Sequence, residues 1–209
     1  MFNESEDPNT TQQAKKLWPY LKKNGISILM IIAVGAMLTS PDAKSFVLTQ
    51  IMKTGLFNAN ISDKDVEKIA SAATRDFTFY DDNGTKQNTS SLRGKVVFIN
   101  FWASWCPPCR AEFPSIESLY LKHKDNPDVF FLTINQDSDL ATAKEYLSKE
   151  KYSLPLYTVN AGLPKEIFSG SLPTTVVLDK KGKIRFHHTR VANYNSAKFE
   201  QQIKALTQE

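Results

Sequence analysis

The chain has 209 residues, 41% hydrophobic and 23% charged, which suits one core domain with additional segments rather than two full domains. Its net charge of +4, from 26 basic and 22 acidic residues with no basic stripe interleaved with aromatics, argues against nucleic acid as a partner. The only two cysteines, Cys106 and Cys109, close a loop too small to staple a fold, so a disulfide framework is excluded and a reactive or metal-binding pair is favoured.

Met1 to Gln13 is polar and reads as a tail. Lys15, Lys16, Lys22 and Lys23 follow, with Trp18 and Tyr20 among them. From Asn24 to Pro41 there is no charge over eighteen residues, and Ile26 to Leu38 is apolar without a polar stripe at helical spacing. A cleaved signal peptide would place small residues after this run, whereas Leu38-Thr39-Ser40 presents a bulky leucine. The reading adopted is an uncleaved anchor helix, with Trp18 and Tyr20 as interfacial aromatics and the lysines holding the N-terminus in the cytoplasm. The rest of the chain then lies in an oxidising outer compartment. Val47, Leu48, Ile51, Met52 and Leu56, at steps of three and four, predict an amphipathic helix within Ala43–Asn60, followed by a polar connector from Ile61 to Thr74. The expected organisation is a cytoplasmic tail over 1–24, a transmembrane signal-anchor over 25–40, an amphipathic helix and linker over 41–75, and a folded domain over 76–209.

In that domain Phe77 and Phe79 alternate with polar neighbours ahead of Asp82-Asn83-Gly84, predicting a strand and hairpin. Lys95–Phe101 and Val129–Ile134 are short apolar runs of buried-strand type. Pro108 to about His123 and Leu140–Lys149 read as helices, Leu156–Val159 as a short strand and Pro164–Phe168 as a helical turn. Thr174–Asp179 and Lys183–His188 form a terminal hairpin, and Ser196–Leu206 a closing helix. Strands alternating with helices predict an α/β fold, a mixed central sheet with helices on both faces.

Cys106-Pro107-Pro108-Cys109 stands where a buried strand gives way to a helix. The first cysteine then sits at the helix N-terminus, where unpaired N–H groups and the dipole favour a thiolate. The second is one turn inside, in reach of the first sulfur. Pro108 at the helix start lacks an N–H that would have had no partner there. Cys106 is thus the expected nucleophile and Cys109 the resolving thiol. A zinc knuckle needs two further ligands, and none of His123, His187 and His188 stands at a paired spacing with the cysteines, so no metal is expected.

Trp102-Ala103-Ser104-Trp105-Cys106-Pro107-Pro108-Cys109, followed by Arg110, Ala111 and Glu112, resembles thioredoxin-like proteins of the TlpA/ResA/CcmG type over roughly residues 76–207. Pro114 inside the helix, Leu172-Pro173-Thr174-Thr175 before a strand, and Glu112 behind the cysteines match in order. The resemblance implies a thioredoxin-like fold and a membrane-tethered thiol–disulfide oxidoreductase facing the periplasm or cell exterior of a bacterial inner membrane. It further implies a cis Pro173 opposite the dithiol, a substrate-binding surface from Trp105, Pro107, Leu172 and Pro173, and Glu112 as a buried acid–base group. Asn100 replaces an aspartate of thioredoxin itself, leaving Glu112 as the buried base, and Ser171 replaces a glycine usual in the family. Disulfide-bearing proteins, with apocytochrome c among them, are the implied substrates, and reduction is the direction toward which the family leans. No nicotinamide or flavin fingerprint is present and no cofactor is expected, so electrons must arrive from another protein, by resemblance a membrane donor of the DsbD/CcdA type. A thiol peroxidase would carry serine or threonine where Ala103 stands. The alternative from another class is a copper-binding assembly module, which resembles this fold but spaces its cysteines by three residues and adds a histidine ligand.

Overall fold

The computed structural model describes residues 24–35, 39–61, 76–160 and 162–209. Residues 1–23 of the tail expected over 1–24, residues 62–74 of the connector expected over 61–74 and residues 36–38 of the expected anchor lie outside the described residues. The chain divides into two units, Met1–Ala43 and Lys44–Glu209. In the first, residues 24–35 are helical, with Ile26, Leu29, Met30, Ile31, Ile32 and Val34 all exposed. Among the described residues no helix is long and apolar enough to cross a membrane.

Helix α1, Pro41–Met52, is shorter than the spacing of its apolar residues predicts. Thr54 N donates to Ile51 O and Gly55 N to Met52 O, and Gly55 takes a positive φ of 84°, the left-handed turn that ends helices. Leu56 therefore leaves the helical face and is 81% exposed. The buried positions of α1 are Ser45 and Met52.

The domain is one seven-stranded mixed sheet in the order β2-β1-β5-β4-β3-β6-β7. The strands are β1 (Thr78–Asp81), β2 (Lys86–Asn88), β3 (Val96–Trp102), β4 (Val129–Asn135), β5 (Tyr157–Thr158), β6 (Thr174–Leu178) and β7 (Ile184–His188). β4 runs parallel to β3 and β5, and the other pairs are antiparallel. β3 is buried at all seven positions, which is why its sequence is a continuous apolar run rather than an alternating one.

The helices are α2 (Pro107–His123), α3 (Leu140–Lys149) and α4 (Ala197–Leu206). Asp139 and Ser196 cap α3 and α4, accepting from Ala141 N and Phe199 N. Phe113, Ile116, Leu119, Tyr146, Leu147, Phe199 and Ile203 all join one core cluster with Phe98 and Trp102 of β3. The opposite cluster, with Val97, Ile99 and Phe101 of β3, is covered differently from the expected pair of helical layers. Phe77 and Phe79 at β1, Leu92 of a 3-10 turn and Ile167 close it. The segment around Ile167 makes a single turn, Phe168 N donating to Pro164 O, and Phe168 stacks on Phe101 at 4.4 Å.

Candidate active site at the start of α2

The chain leaves β3 at Trp102 and enters α2 at Pro107, and the loop between is tied to the segment that follows β4. Asn135 Oδ1 accepts from Asp137 N (2.9 Å), a local turn that aims the Asp137 carboxylate at Ser104 N, 3.1 Å from each oxygen. Gln136 N donates to Trp102 O (2.8 Å). Asp137 was not among the sequence candidates; the N-x-D turn at the end of β4 is the signal that marks it.

Cys106 is the N-cap of α2, with extended backbone, and its sulfur accepts from Cys109 N at 3.3 Å. The two cysteines form a disulfide with Cα atoms 5.3 Å apart. Cys106 is 4% exposed and Cys109 0%, so an incoming thiolate or disulfide meets Cys106 first. Pro107 and Pro108 occupy the first helical turn, where missing N–H groups cost nothing. Trp105 stands 62% exposed one residue before the sulfur, an apolar surface at the mouth of the site.

Leu172–Pro173 is a cis peptide, as the resemblance implies. The β3–β6 register sets Thr174 opposite Phe101, so Pro173 falls at the strand end from which the dithiol loop departs. Pro173 is buried and Leu172 half-buried against both core clusters.

Glu112 lies one helical turn beyond Cys109 and is 0% exposed. Asn100 Nδ2 of β3 donates to its Oε1 at 2.8 Å and to Thr175 Oγ1 at 2.9 Å, and Ala192 N approaches Oε2 at 3.3 Å. Burial pushes the carboxyl up to about 8, and the Asn100 and Ala192 hydrogen bonds only partly offset it. Both donors are neutral, so the site holds a carboxyl without a counter-ion. The buried Tyr194 phenol completes the wall. Desolvation first, then the Glu112 charge, raise its pKa well above 10, with Thr175 partly opposing; its hydroxyl meets no partner in full hydrogen-bond geometry. Of this network Glu112 and Asn100 were legible in the sequence, while Thr175, Ala192 and Tyr194 were not. No group of three or more metal-ligating side chains converges among the described residues.

The redoxin family model matches residues 68–203. A curated relative, the thiol–disulfide oxidoreductase ResA of Bacillus thuringiensis, is 31% identical over 168 residues, covering 78% of this chain and 87% of the relative. A Chlorobium tepidum structure provisionally named thiol:disulfide interchange protein DsbE superposes with a TM-score of 0.55 at 27% identity, over 64% of this chain and 94% of that one. A Bacteroides thetaiotaomicron structure provisionally named a protein disulfide isomerase gives 0.56 at 33%, over 65% and 88%. A cysteine pair at a helix N-terminus, a cis-proline strand start beside it and these relatives converge: the chain belongs to the redoxin family and is a thioredoxin-like thiol–disulfide oxidoreductase of the TlpA/ResA/CcmG type.

Proposed function

We propose that the protein is a membrane-anchored disulfide reductase acting on proteins outside the cytoplasm, with the apolar run over 25–40 as its single anchor. The observation that carries the chemistry is the difference between the two sulfurs: Cys106 caps the helix and keeps a small solvent-facing area, and Cys109 is sealed one turn further in, on the helix that carries an uncompensated carboxyl at Glu112. The reduced protein begins with a Cys106 thiolate, favoured by the helix N-terminus. It attacks a substrate disulfide, forming a Cys106–substrate bond and releasing one substrate thiolate. Cys109 gives its proton to the Glu112 carboxylate and attacks the Cys106 sulfur. The intramolecular disulfide forms, the second substrate thiolate leaves and takes up a proton, and two electrons have passed to the substrate. Trp105, Pro107 and the Leu172–Pro173 backbone form the surface that receives the substrate chain.

The anchor reading is supported by the exposed apolar residues of helix 24–35 and the lysines that precede them in sequence. The oxidised pair is returned to the dithiol by a membrane donor of the DsbD/CcdA type, since the chain has no organic redox group fingerprint of its own. Haem-attachment cysteines of apocytochrome c are the first substrates to examine. The test is to express the full chain with Cys109→Ser and fractionate the cells. Proteins from outside the cytoplasm should accumulate as mixed disulfides on Cys106 in the membrane fraction. Adducts confined to cytoplasmic proteins, or found in the soluble fraction only, overturn the reading.

A further inference from the structure

The segment ahead of the domain is built against the backbone around Glu112. Thr49 Oγ1 of α1 donates to Ala111 O, the residue before Glu112, at 3.2 Å. Past the helix end the chain runs alongside the loop that follows β7. Asn193 N donates to Phe57 O (2.7 Å), Ala59 N to Asn193 O (2.9 Å) and Asn193 Nδ2 to Asn58 Oδ1 (2.9 Å). Asn193 follows Ala192, whose N–H faces the Glu112 carboxyl. Gln202 of α4 fixes the far end: Ile61 N donates to its Oε1, and its Nε2 donates to Ile61 O and Asn60 Oδ1. Ala59 is buried in the same cluster as both cysteines and Tyr194, with Ile61 packed against it.

Two clefts lie on either side of this strap. One, of about 250 Å³, is lined by Met52 and Lys53 together with Ala111, Pro114 and Ser115. The other, of about 640 Å³, runs between residues 56–60 and the stretch from Phe186 to Ala192. Both have room for water; the larger has walls of mixed polarity, while the smaller is mainly apolar with Thr49, Lys53, Ser115, Asn193 and Asn195 as its polar lining. They reach Ala111 and Ala192, yet the carboxyl between those residues is fully buried. Met52 and Ala59, both buried, line the smaller and the larger cleft, and the strap's bonds to Asn193 fall on the residue next to Ala192.

We infer that Thr49–Ile61 is a seal for Glu112, pinning Ala192 over the carboxyl and keeping the water of both clefts away from it. The segment preceding the domain is thereby a positioning element of the thiol chemistry. This inference rests on the proposed role of Glu112 in resolving the mixed disulfide. The groups that surround the carboxyl are few. Cys109 lies on its own helix and Tyr194 on the loop, β3 and β6 present the neutral Asn100 and Thr175, and the turn that follows α1 brings Lys53, whose Nζ bonds Gln50 at 3.4 Å. The larger cleft adds His187, His188 and Arg190 to its lining. Water admitted through either cleft would lower the proton affinity of Glu112, because burial is the largest cause of its rise.

The test follows the carboxyl directly, by carbon-13 NMR of the oxidised full chain in micelles with labelled glutamate, the resonance assigned by Glu112→Gln. Ala59→Pro removes the N–H given to Asn193 O. Gln202→Ala frees the far end while touching nothing beside the dithiol, and carries the test alone should Ala59→Pro fail to fold. The parent midpoint is expected near 8. In Ala59→Pro it should drop by about one pH unit or more as water enters, with a smaller drop in Gln202→Ala. A midpoint that stays put or rises in folded variants overturns the seal. A midpoint that falls while the pH profile of mixed-disulfide resolution does not follow upholds the seal and rejects Glu112 as the resolving base.

Discussion

Each end of α2 meets a glutamate, its own Glu112 near the start and Glu200 of α4 at the finish, and the two carboxyls end in opposite states. At the N-terminal end Glu112 is enclosed, receives hydrogen bonds from an amide and a backbone N–H, and is pushed up to about 8. At the C-terminal end Lys122 Nζ reaches Glu200 of α4 at 2.8 Å, Lys204 reaches it from the other side at 2.8 Å, and the carboxyl is held down to about 2. Neutral donors in a dry pocket leave a carboxyl that changes charge near physiological pH. Ammonium donors at a wet surface fix one that never does. The residue type is the same; the availability of a counter-charge decides whether it can move protons or only tie two helices together.

The largest effect expected from breaking this contrast lies at the sulfurs that the N-terminal end serves. Cys106→Ser should reduce insulin or reporter-disulfide reduction to background. Cys109→Ser should keep the first attack and lose turnover, accumulating the mixed disulfide. If Cys106→Ser retains exchange, or the mixed disulfide forms on Cys109 in that variant, the assignment of the N-cap sulfur as nucleophile fails.

Next in size is Glu112→Gln, which preserves shape and removes the titration. In the folded state the pKa is raised above its ordinary 4.5, so the folded protein keeps a proton that the unfolded chain gives up. Stability is therefore fullest below about 4.5 and declines as pH rises to about 8, by an amount on the order of a few kcal/mol. Chemical denaturation across that window should show the decline in the parent and a flatter profile in the variant. Stopped-flow resolution of the mixed disulfide should accelerate in the parent through about pH 8 and run roughly 100-fold slower in the variant, the scale of one general base. Equal profiles for the two proteins would make Glu112 a packing residue.

What could be read in advance divides along local and long-range lines. Cys106, Pro107, Pro108 and Cys109 announce their geometry because a helix N-terminus is made by the residues that form it. The buried run of β3 is local in the same sense. Asn100 stood out as a departure from thioredoxin, yet its contact with Glu112 depends on two elements packing together. Ala192 contributes only a backbone N–H, a group every residue but proline carries, and it arrives eighty residues after its acceptor. Nothing in the sequence marks it. α1 ends before its apolar spacing does, because the turn at Thr54-Gly55 overrides a periodicity that persists to Leu56. The strand at Phe77–Phe79 and the turn at Pro164–Phe168 are legible as elements, but that they and a 3-10 turn cover the second sheet face, in place of a helical layer, depends on long-range packing.

The smallest effect belongs to the C-terminal end of α2, and it has the opposite sign in pH. Glu200 has a folded-state pKa below its ordinary 4.5, so its pairing contributes above that pH and is lost as pH falls toward about 2. The carboxylate sits at the surface, and surface pairs of this kind contribute about 0–1 kcal/mol after solvent screening and side-chain ordering. Glu200→Gln should therefore lower stability at pH 7 by no more than about 1 kcal/mol, and less in 1 M salt, where charges are screened over about 3 Å. It should leave the pH dependence between about 4.5 and 8 as in the parent, because that window belongs to Glu112. Exchange kinetics should be unmoved, since Glu200 touches neither sulfur nor the strap. Combining Glu200→Gln with Glu112→Gln should give additive changes in stability, since Glu200 pairs with Lys122 and Lys204 while Glu112 bonds Asn100 and Ala192, near opposite ends of α2. A marked interaction between the two substitutions would show that α2 couples its ends, and that the carboxyl behind the dithiol is tuned from further away than its own pocket.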